Sequence, residues 1–488
     1  MRTQHAGRQV PAQARDSQVT DPAHAGLNPT TTGGAPETPK EWRAAALAIL
    51  AGGAALGLLV GTRRMGRLVP ALTAGVALGA AIPIAAASRR PPIGPEHAGR
   101  ALAGATLPPT FTILVGARDE ATVLAKLVAD ISRQDYRDID GKPLFELVVV
   151  DDRSSDGTGR IAEETARDCG IGDVTRIFRR EGAGLADGKG AALTAAPPDV
   201  CRGDVVAVLD ADARLQPQFL RLAAGYFAAG ARAVTARRRI LGSEDGWLSG
   251  AQADEQTLDG EINRGRWALG GCSEFRGNGI MVRCDLLAAA GGWRAAALTE
   301  DIDLSSRIAA ISGDSVAWAI DAEVWEEPVR TLHGLWRQRL RWAEGAFRRV
   351  FEHGPAVVTS SQLSIGSKLD FVAYVGQLAV PPIVLGAGVS AAVTGRGRGL
   401  LAILAGYLGV SALLGWDALR WETRGDRGRL RVRERVGRAL RVSVFNGLWL
   451  LVVPKALMDL ALRRGPIQYS KMEHAGTASP DPVPPARG

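Results

Sequence analysis

Five long apolar runs around a polar, charged middle constrain this chain more than any other feature. Ala44 to Val60 (AAALAILAGGAALGLLV) and Leu68 to Ala87 come first; Phe371 to Val393, Leu400 to Leu419 and Val442 to Leu462 come last. At about 1.5 Å of rise per residue such runs approach the ~30 Å hydrocarbon core of a bilayer, where a backbone must close its own hydrogen bonds. The sequence therefore predicts two transmembrane helices over 41–90 and two or three transmembrane or interfacial helices over 366–465, on either side of a soluble unit. The first pair is rich in Ala and Gly, so tightly packed helices of a soluble domain also fit it. The fifth run carries Asn446, Pro454, Lys455 and Asp459, and an interfacial helix fits it as well as a span.

Outside these runs the composition shifts. Residues 1–40 and 471–488 are polar and rich in Gly and Pro, with too few large apolar side chains to offset ordering entropy, and are expected to be disordered. Because the first apolar run follows such a tail, a cleaved secretory signal is not expected. The net charge of +8 is concentrated near the runs, above all in RWETRGDRGRLRVRERVGRALR (420–441). The positive-inside tendency places that stretch in the cytoplasm, with the arginines of 427–441 against anionic lipid headgroups. Nucleic acid is the rival partner for a basic patch, but no recognisable nucleic-acid module accompanies it, so none is expected. Arg63, Arg64 and Arg67 run against this topology, since they fall in the outer loop. Cys169, Cys201, Cys272 and Cys284 form no CxxC pair and the six histidines show no ligand spacing, which points to a reducing compartment without a zinc site. The expectation is a multi-pass protein of the inner membrane with its soluble middle in the cytoplasm. His-Ala-Gly recurs at His5, His24, His97 and His474, and we have no physical account of it.

From Pro108 to about Arg330 short β-rich runs alternate with helical ones. FTILV (111–115), FELVVV (145–150) and VVAVL (205–209) read as buried parallel strands, whereas ATVLAKLVADISRQ and GRIAEETARDC have helical periodicity. This alternation predicts a doubly wound α/β domain over 108–330, with its ligand at the carboxyl ends of the strands. Polar residues collect at those ends: GARDE (116–120), DDRSSDGT (151–158) and DADA (210–213). Each alone serves equally well as a helix cap or a surface turn. In an extended DADA segment, however, Asp210 and Asp212 face the same side and repel unless a cation stands by them. Mg²⁺ or Mn²⁺, which take oxygen ligands and share them with substrate phosphates, would suit such a pair. Lys189 in ADGKGAAL invites comparison with a P-loop, but Ala183 stands where that loop needs Gly, and Gly190 follows the lysine where Ser or Thr is required.

Further on, LTEDIDLSSRI (298–308) opens a helix with Glu300 and Asp301, acids that complement a helix dipole or, in a cleft, act as a base on a hydroxyl. QRLRW (338–342) places Gln338, Arg341 and Trp342 on one helical face. An amphipathic helix with a solvated basic side explains that pattern too, and 331–365 is expected to be an amphipathic interfacial segment.

Taken in order, the carboxylate pair after an early strand, the DxD, the TED and the QxxRW between membrane helices closely resemble the membrane-integrated family 2 glycosyltransferases. That group includes cellulose synthase, hyaluronan synthase and ceramide glucosyltransferase. The resemblance implies a GT-A-like catalytic domain and an inverting, metal-dependent transfer of a sugar from a nucleotide-sugar. By it, Ala117, Glu120, Asp151 and Asp152 would line the base and ribose, and Lys189 the donor. Asp210 and Asp212 would hold the diphosphate and its metal, with Asp212 the direct ligand. Asp301 would be the base; Glu300, Gln338, Arg341 and Trp342 would serve diphosphate and acceptor, the indole as an apolar platform. The pattern departs from the family at Arg153, where members commonly carry Gly. The RGNG stretch (276–279) resembles bacterial β-monoglucosyldiacylglycerol synthases more than polymer synthases, which implies UDP-glucose as donor and a membrane lipid hydroxyl as acceptor. A processive polysaccharide synthase and a non-catalytic nucleotide-sugar-binding membrane component remain the alternatives, the second disfavoured by an intact TED.

Overall fold

The computed structural model describes residues 38–60, 68–182, 186–196, 202–422 and 428–463. Residues 1–37 and 471–488 of the two tails, the arginines at 63, 64, 67 and 427, and Ala183 fall outside them. Helices α1 (Lys40–Val60), α2 (Leu68–Ala87) and α3 (Pro95–Ala103) come first. The α/β unit follows as β1 (Phe111–Ala117), α4 (Ala121–Ser132), β2 (Phe145–Asp152), α5 (Thr158–Asp168), β3 (Thr175–Arg180), α6 (Lys189–Thr194), β4 (Val205–Asp210), β5 (Arg214–Leu215) and α7 (Phe219–Ala228). It continues through β6 (Ala233–Ile240), α8 (Trp247–Ala268), β7 (Ile280–Arg283), α9 (Cys284–Ala289), α10 (Glu300–Ser312) and β8 (Ala317–Glu326). Helices α11 (Leu332–Thr359), α12 (Ile365–Gly376), α13 (Val380–Thr394), α14 (Arg398–Ala418), α15 (Val432–Asn446) and α16 (Trp449–Leu462) complete the order.

The eight strands form one sheet in the order β3-β2-β1-β4-β7-β6-β8-β5. The three strands expected to be parallel are so: β1 pairs in parallel with β2 and with β4, and β3 joins β2 in the same sense. The other half is mixed, because β7 runs antiparallel to both β4 and β6. Side chains alternate between two cores: Phe111, Ile113 and Val115 of β1 face one, and Leu114 the other. Helices α4, α5 and α7 cover the first face; α6, α9 and α10 cover the second. Burial on both faces is why these strands read as unbroken apolar runs rather than alternating ones. The chain winds outward through β1, β2 and β3, then returns to the other side of β1 as β4, so a crevice opens between the carboxyl ends of β1 and β4.

Four described helices are long and apolar enough to cross a bilayer: Lys40–Val60, Ile365–Thr394, Arg398–Trp421 and Val432–Leu462. The Ala and Gly of the first run have a packing reason. A methyl group at Gly57 would collide with the backbone of Ile383, and one at Gly386 with that of Ala54, so α1 and α13 cross at backbone contact. The span expected at Phe371–Val393 is subdivided, with a 3₁₀ turn over Gln377–Ala379 separating α12 from α13. Polar residues hold α12 to the α/β unit: Asp370 accepts hydrogen bonds from Arg266 Nη2 (2.9 Å) and Cys272 N (2.8 Å), and Tyr374 Oη accepts one from Arg276 Nη2 (2.6 Å). The run Val442–Leu462 is likewise divided, between α15 and α16, where the Asn446 amide turns inward to donate to Ser411 Oγ (2.7 Å).

Two expectations about charge are corrected. The basic side of α11 is not solvated throughout, because Arg339, Glu344, Arg349 and His353 are buried. Nor do all the arginines of 427–441 face lipid. Arg438 and Arg441 pair with the buried Asp254 (Nε to carboxylate 2.6 and 2.7 Å), and Arg435 Nε donates to Trp416 O (2.6 Å). Buried Asp254 requires compensating cations, and these two arginines lie close enough to supply them.

Candidate active site

Strand register brings the rim residues together: Ala117 of β1 stands opposite Asp151 of β2, and Gly116 opposite Asp210 of β4. The loops after β1 and β2 are tied to each other. Asp119 N donates to Ser154 Oγ (2.9 Å), Ser155 N to Asp119 Oδ1 (2.7 Å), and Glu120 N to Thr158 Oγ1 (2.8 Å). Among the described residues, Asp119 and Arg153 are the non-glycine residues with positive φ (51° and 60°). That left-handed conformation costs a side-chain-bearing residue roughly 1–2 kcal/mol and costs glycine almost nothing. Arg153 therefore keeps the turn a glycine would make, and its guanidinium bonds Asp152 (3.0 Å) and Asp187 (2.6 Å). Asp152 also takes Arg180 (2.9 Å), and Arg179 lies 3.7 Å from Asp151.

Across the crevice, Lys189 at the start of α6 joins two acids: its Nζ lies 2.6 Å from Asp210 Oδ1 and 3.1 Å from Glu300 Oε1. Gly190, which disqualified the P-loop, is there for space, since a methyl would come 2.6 Å from the Arg294 carbonyl. Burial alone would push the Asp210 carboxyl up, but Lys189, with Arg238 and Arg341 behind it, holds it below the usual range. Asp212 is in the opposite situation. Burial and the charges of Asp210, Glu326 and Glu327 push its carboxyl up to about 8. Two carboxylates two residues apart at the strand end offer the oxygen donors a hard divalent cation takes, so Asp212 and Asp210 would suit Mg²⁺ or Mn²⁺.

Asp301 lies in the first turn of α10, whose dipole favours the carboxylate by at most ~1–2 kcal/mol. Burial and the neighbouring Glu300 outweigh that and push its carboxyl up to about 6. Such an acid is ionised at neutral pH yet basic enough to accept a proton.

The RGNG turn forms the floor. Asn278, fully buried, accepts the Asp210 backbone N–H at 3.1 Å, and the Gly277 carbonyl accepts from Lys189 at 3.3 Å. From β6, Arg238 enters the same space, held by Glu326 through Nε (3.1 Å) and Nη2 (2.5 Å). Of the QxxRW residues, Arg341 acts on Asp210, whereas the Gln338 amide oxygen accepts from Arg339. Trp342 is not a bare platform: the guanidinium of Arg339 lies 4.1 Å, and that of Arg238 5.7 Å, from its ring centroid.

Arg238, Glu326 and Asn278 were not singled out from sequence. A signal existed for the first, because three consecutive arginines in a strand, ARRRI, cannot all face solvent. Arg237 and Arg239 both pair with Glu422, and Arg238 projects to the other side. Asp303 was also missed. It accepts from Arg307 (2.8 Å) and Arg294 (3.2 Å) and meets His353 Nε2 (2.7 Å), linking α10 to α11. Asp303, Glu352 and His353 bring possible ligand atoms within 4.8 Å of one another, but Arg294 and Arg307 already neutralise this group, which suits a helix link better than a cation.

Residues 108–345 match the family described as Glycosyltransferase like family 2. The chain is similar to a beta-monoglucosyldiacylglycerol synthase of Synechocystis, 30% identical over 396 residues that cover 79% of this chain and 80% of that one. The enzyme of the same description from Nostoc is 27% identical over 402 residues, 78% and 80% of the two chains. Among solved structures, a mannosyltransferase from Pyrobaculum calidifontis in complex with GDP-Man and Mn²⁺ is 20% identical, covering 86% of this chain and 99% of that one, with a TM-score of 0.49.

Proposed function

Because the chain belongs to the family 2 glycosyltransferases and is therefore an enzyme that transfers a sugar, we propose that it moves glucose from UDP-glucose to the hydroxyl of a membrane lipid such as diacylglycerol, inverting the anomeric configuration. The arrangement that carries this reading is a half-buried carboxyl in the first turn of α10, Asp301, beside the acid–lysine cluster of Asp210, Lys189 and Glu300. The lipid and the glucose come from the two synthases to which most of the chain is similar.

In the mechanism, Asp301 Oδ2 takes the proton of the acceptor hydroxyl, whose oxygen attacks the anomeric carbon opposite the nucleotide. The bond to the diphosphate breaks, and the leaving group gathers negative charge. Lys189 and Arg341 stabilise that charge more in the transition state than in the bound donor, which is what lowers the barrier. Asp212 and Asp210 would hold a divalent cation, which supplies Lewis-acid stabilisation of diphosphate oxygens when bound. Ala117, Glu120, Asp151 and Asp152 would line the uridine, with Arg153 closing the turn beside them. One displacement suffices, so no covalent nucleophile is invoked. The apolar helices would make the protein multi-pass in the inner membrane, with the α/β unit on the cytoplasmic side where the nucleotide-sugar is made.

A pH profile follows from the base. With the Asp301 carboxyl at about 6, kcat/KM should be level above pH 7 and fall tenfold per unit as pH drops below about 6, because protonation removes the acceptor for the hydroxyl proton. A profile flat down to pH 4.5 would exclude Asp301 as the titrating base.

The product decides between lipid and polymer. Purified protein in liposomes containing diacylglycerol, supplied with radiolabelled UDP-glucose, should yield label that migrates as a monoglucosyl lipid. Label that stays at the chromatogram origin and is released by a glycanase would establish a polysaccharide synthase instead.

A further inference from the structure

The space above Gly277 is bounded by a base on one side and a cation on the other. A methyl group built on Gly277 would lie 3.7 Å from Asp301 Oδ2 and 4.0 Å from Arg238 Nη1, with no other described atom beyond its chain neighbours within 4 Å. A hydroxyl giving its proton to Asp301 must come within about 2.6–3.2 Å of a carboxylate oxygen, so this space receives the acceptor. The leaving diphosphate departs on the far side of the anomeric carbon. The group facing Asp301 across this space is therefore placed to meet the acceptor.

That group is Arg238. Its Nε and Nη2 are committed to the two oxygens of Glu326, and Gln256 Nε2 donates to the same carboxylate, which fixes the plane of the guanidinium. The Trp342 ring lies against it at 5.7 Å. Nη1 faces Gly277 and makes no hydrogen bond among the described residues, with Asp210 and Asp259 acting on the guanidinium at longer range. An arginine so held can donate to an oxygen acceptor within a few ångströms of the reacting hydroxyl.

Resting on the lipid-transfer reading, we infer that Arg238 is a specificity-determining residue of the acceptor site: its Nη1 donates to an ester carbonyl oxygen of the lipid next to the hydroxyl that Asp301 deprotonates. A diacylglycerol carries the two groups on neighbouring carbons of one glycerol backbone, so one molecule spans base and guanidinium. A dialkyl ether of the same chain length offers the hydroxyl without a carbonyl. A site built to hydrogen-bond a substrate oxygen discriminates against the analogue lacking it, because its buried donor is left unpaired.

The test compares 1,2-diacylglycerol with the matched 1,2-dialkylglycerol in liposomes, using wild-type protein and Arg238→Lys. The lysine keeps a cation for Glu326 but cannot hold that carboxylate and reach the space over Gly277 together. Wild type should use the ester lipid about 10- to 100-fold better in kcat/KM, as expected for one hydrogen bond from a charged donor. Arg238→Lys should remove most of that ratio, with UDP affinity and melting temperature close to wild type. Equal use of both lipids by wild type would overturn the inference and leave lipid transfer standing. So would an Arg238→Lys protein that keeps the ratio but binds UDP more weakly, since that places the guanidinium on the diphosphate. Failure of wild type to glycosylate either lipid would remove the lipid-transfer reading and this inference with it.

Discussion

Asp301→Asn is expected to lower transfer by ~10² to 10⁴, the range typical for loss of a positioned general base, while UDP binding persists. The change preserves shape, so the loss reads on proton transfer alone. It also carries a stability signature. Burial, with Glu300 beside it, raises the Asp301 carboxyl from 3.8 to about 6 in the folded protein, so above pH 6 the ionised acid opposes folding. Asparagine removes that penalty. The variant should melt at or above the wild-type temperature at pH 7.5, and the advantage should shrink as pH falls through 6 and vanish below about 4. Single-turnover transfer, UDP calorimetry and melting curves at three pH values check all three expectations. Near-normal turnover would reduce Asp301 to an acid that merely opens a helix.

Removal of divalent ions should be comparably severe, and Asp212→Ala should not recover in excess Mn²⁺. Burial, with the charges of Asp210, Glu326 and Glu327, raises the Asp212 carboxyl to about 8, and a divalent cation beside it would offset that negative field, as Lys189 does for Asp210. Mg²⁺ and Mn²⁺ are held by few protein ligands and several waters, so loss of a direct carboxylate leaves little affinity. Losing the Lewis acid forfeits several kcal/mol of transition-state stabilisation, a rate effect of about 10³. Transfer assayed in EDTA and then with graded Mn²⁺ reads this directly. Full wild-type activity in chelator would show that Lys189 and Arg341 carry the leaving group without a metal.

What was legible in the sequence were properties carried by neighbours along the chain. The unbroken apolar strands at 111, 145 and 205, the helices between them, the long apolar runs and the spacings DAD, TED and QxxRW all depend on local geometry, and the structure places Asp210, Lys189, Glu300, Asp301 and Arg341 around one crevice. Charge was not legible in the same way. Arg438 and Arg441 look like lipid-facing residues until Asp254, far away in sequence, folds beneath them. Trp342 looks like an open platform until Arg339 and Arg238 lie against it. Arg238 looks like part of a basic strand until Glu326 orients it toward Gly277. Burial of an apolar segment follows from its own period, because any apolar partner will satisfy it. The energy of a charge depends on which opposite charge lies within a few ångströms and how much water is excluded, and only the folding of distant segments onto one another decides that.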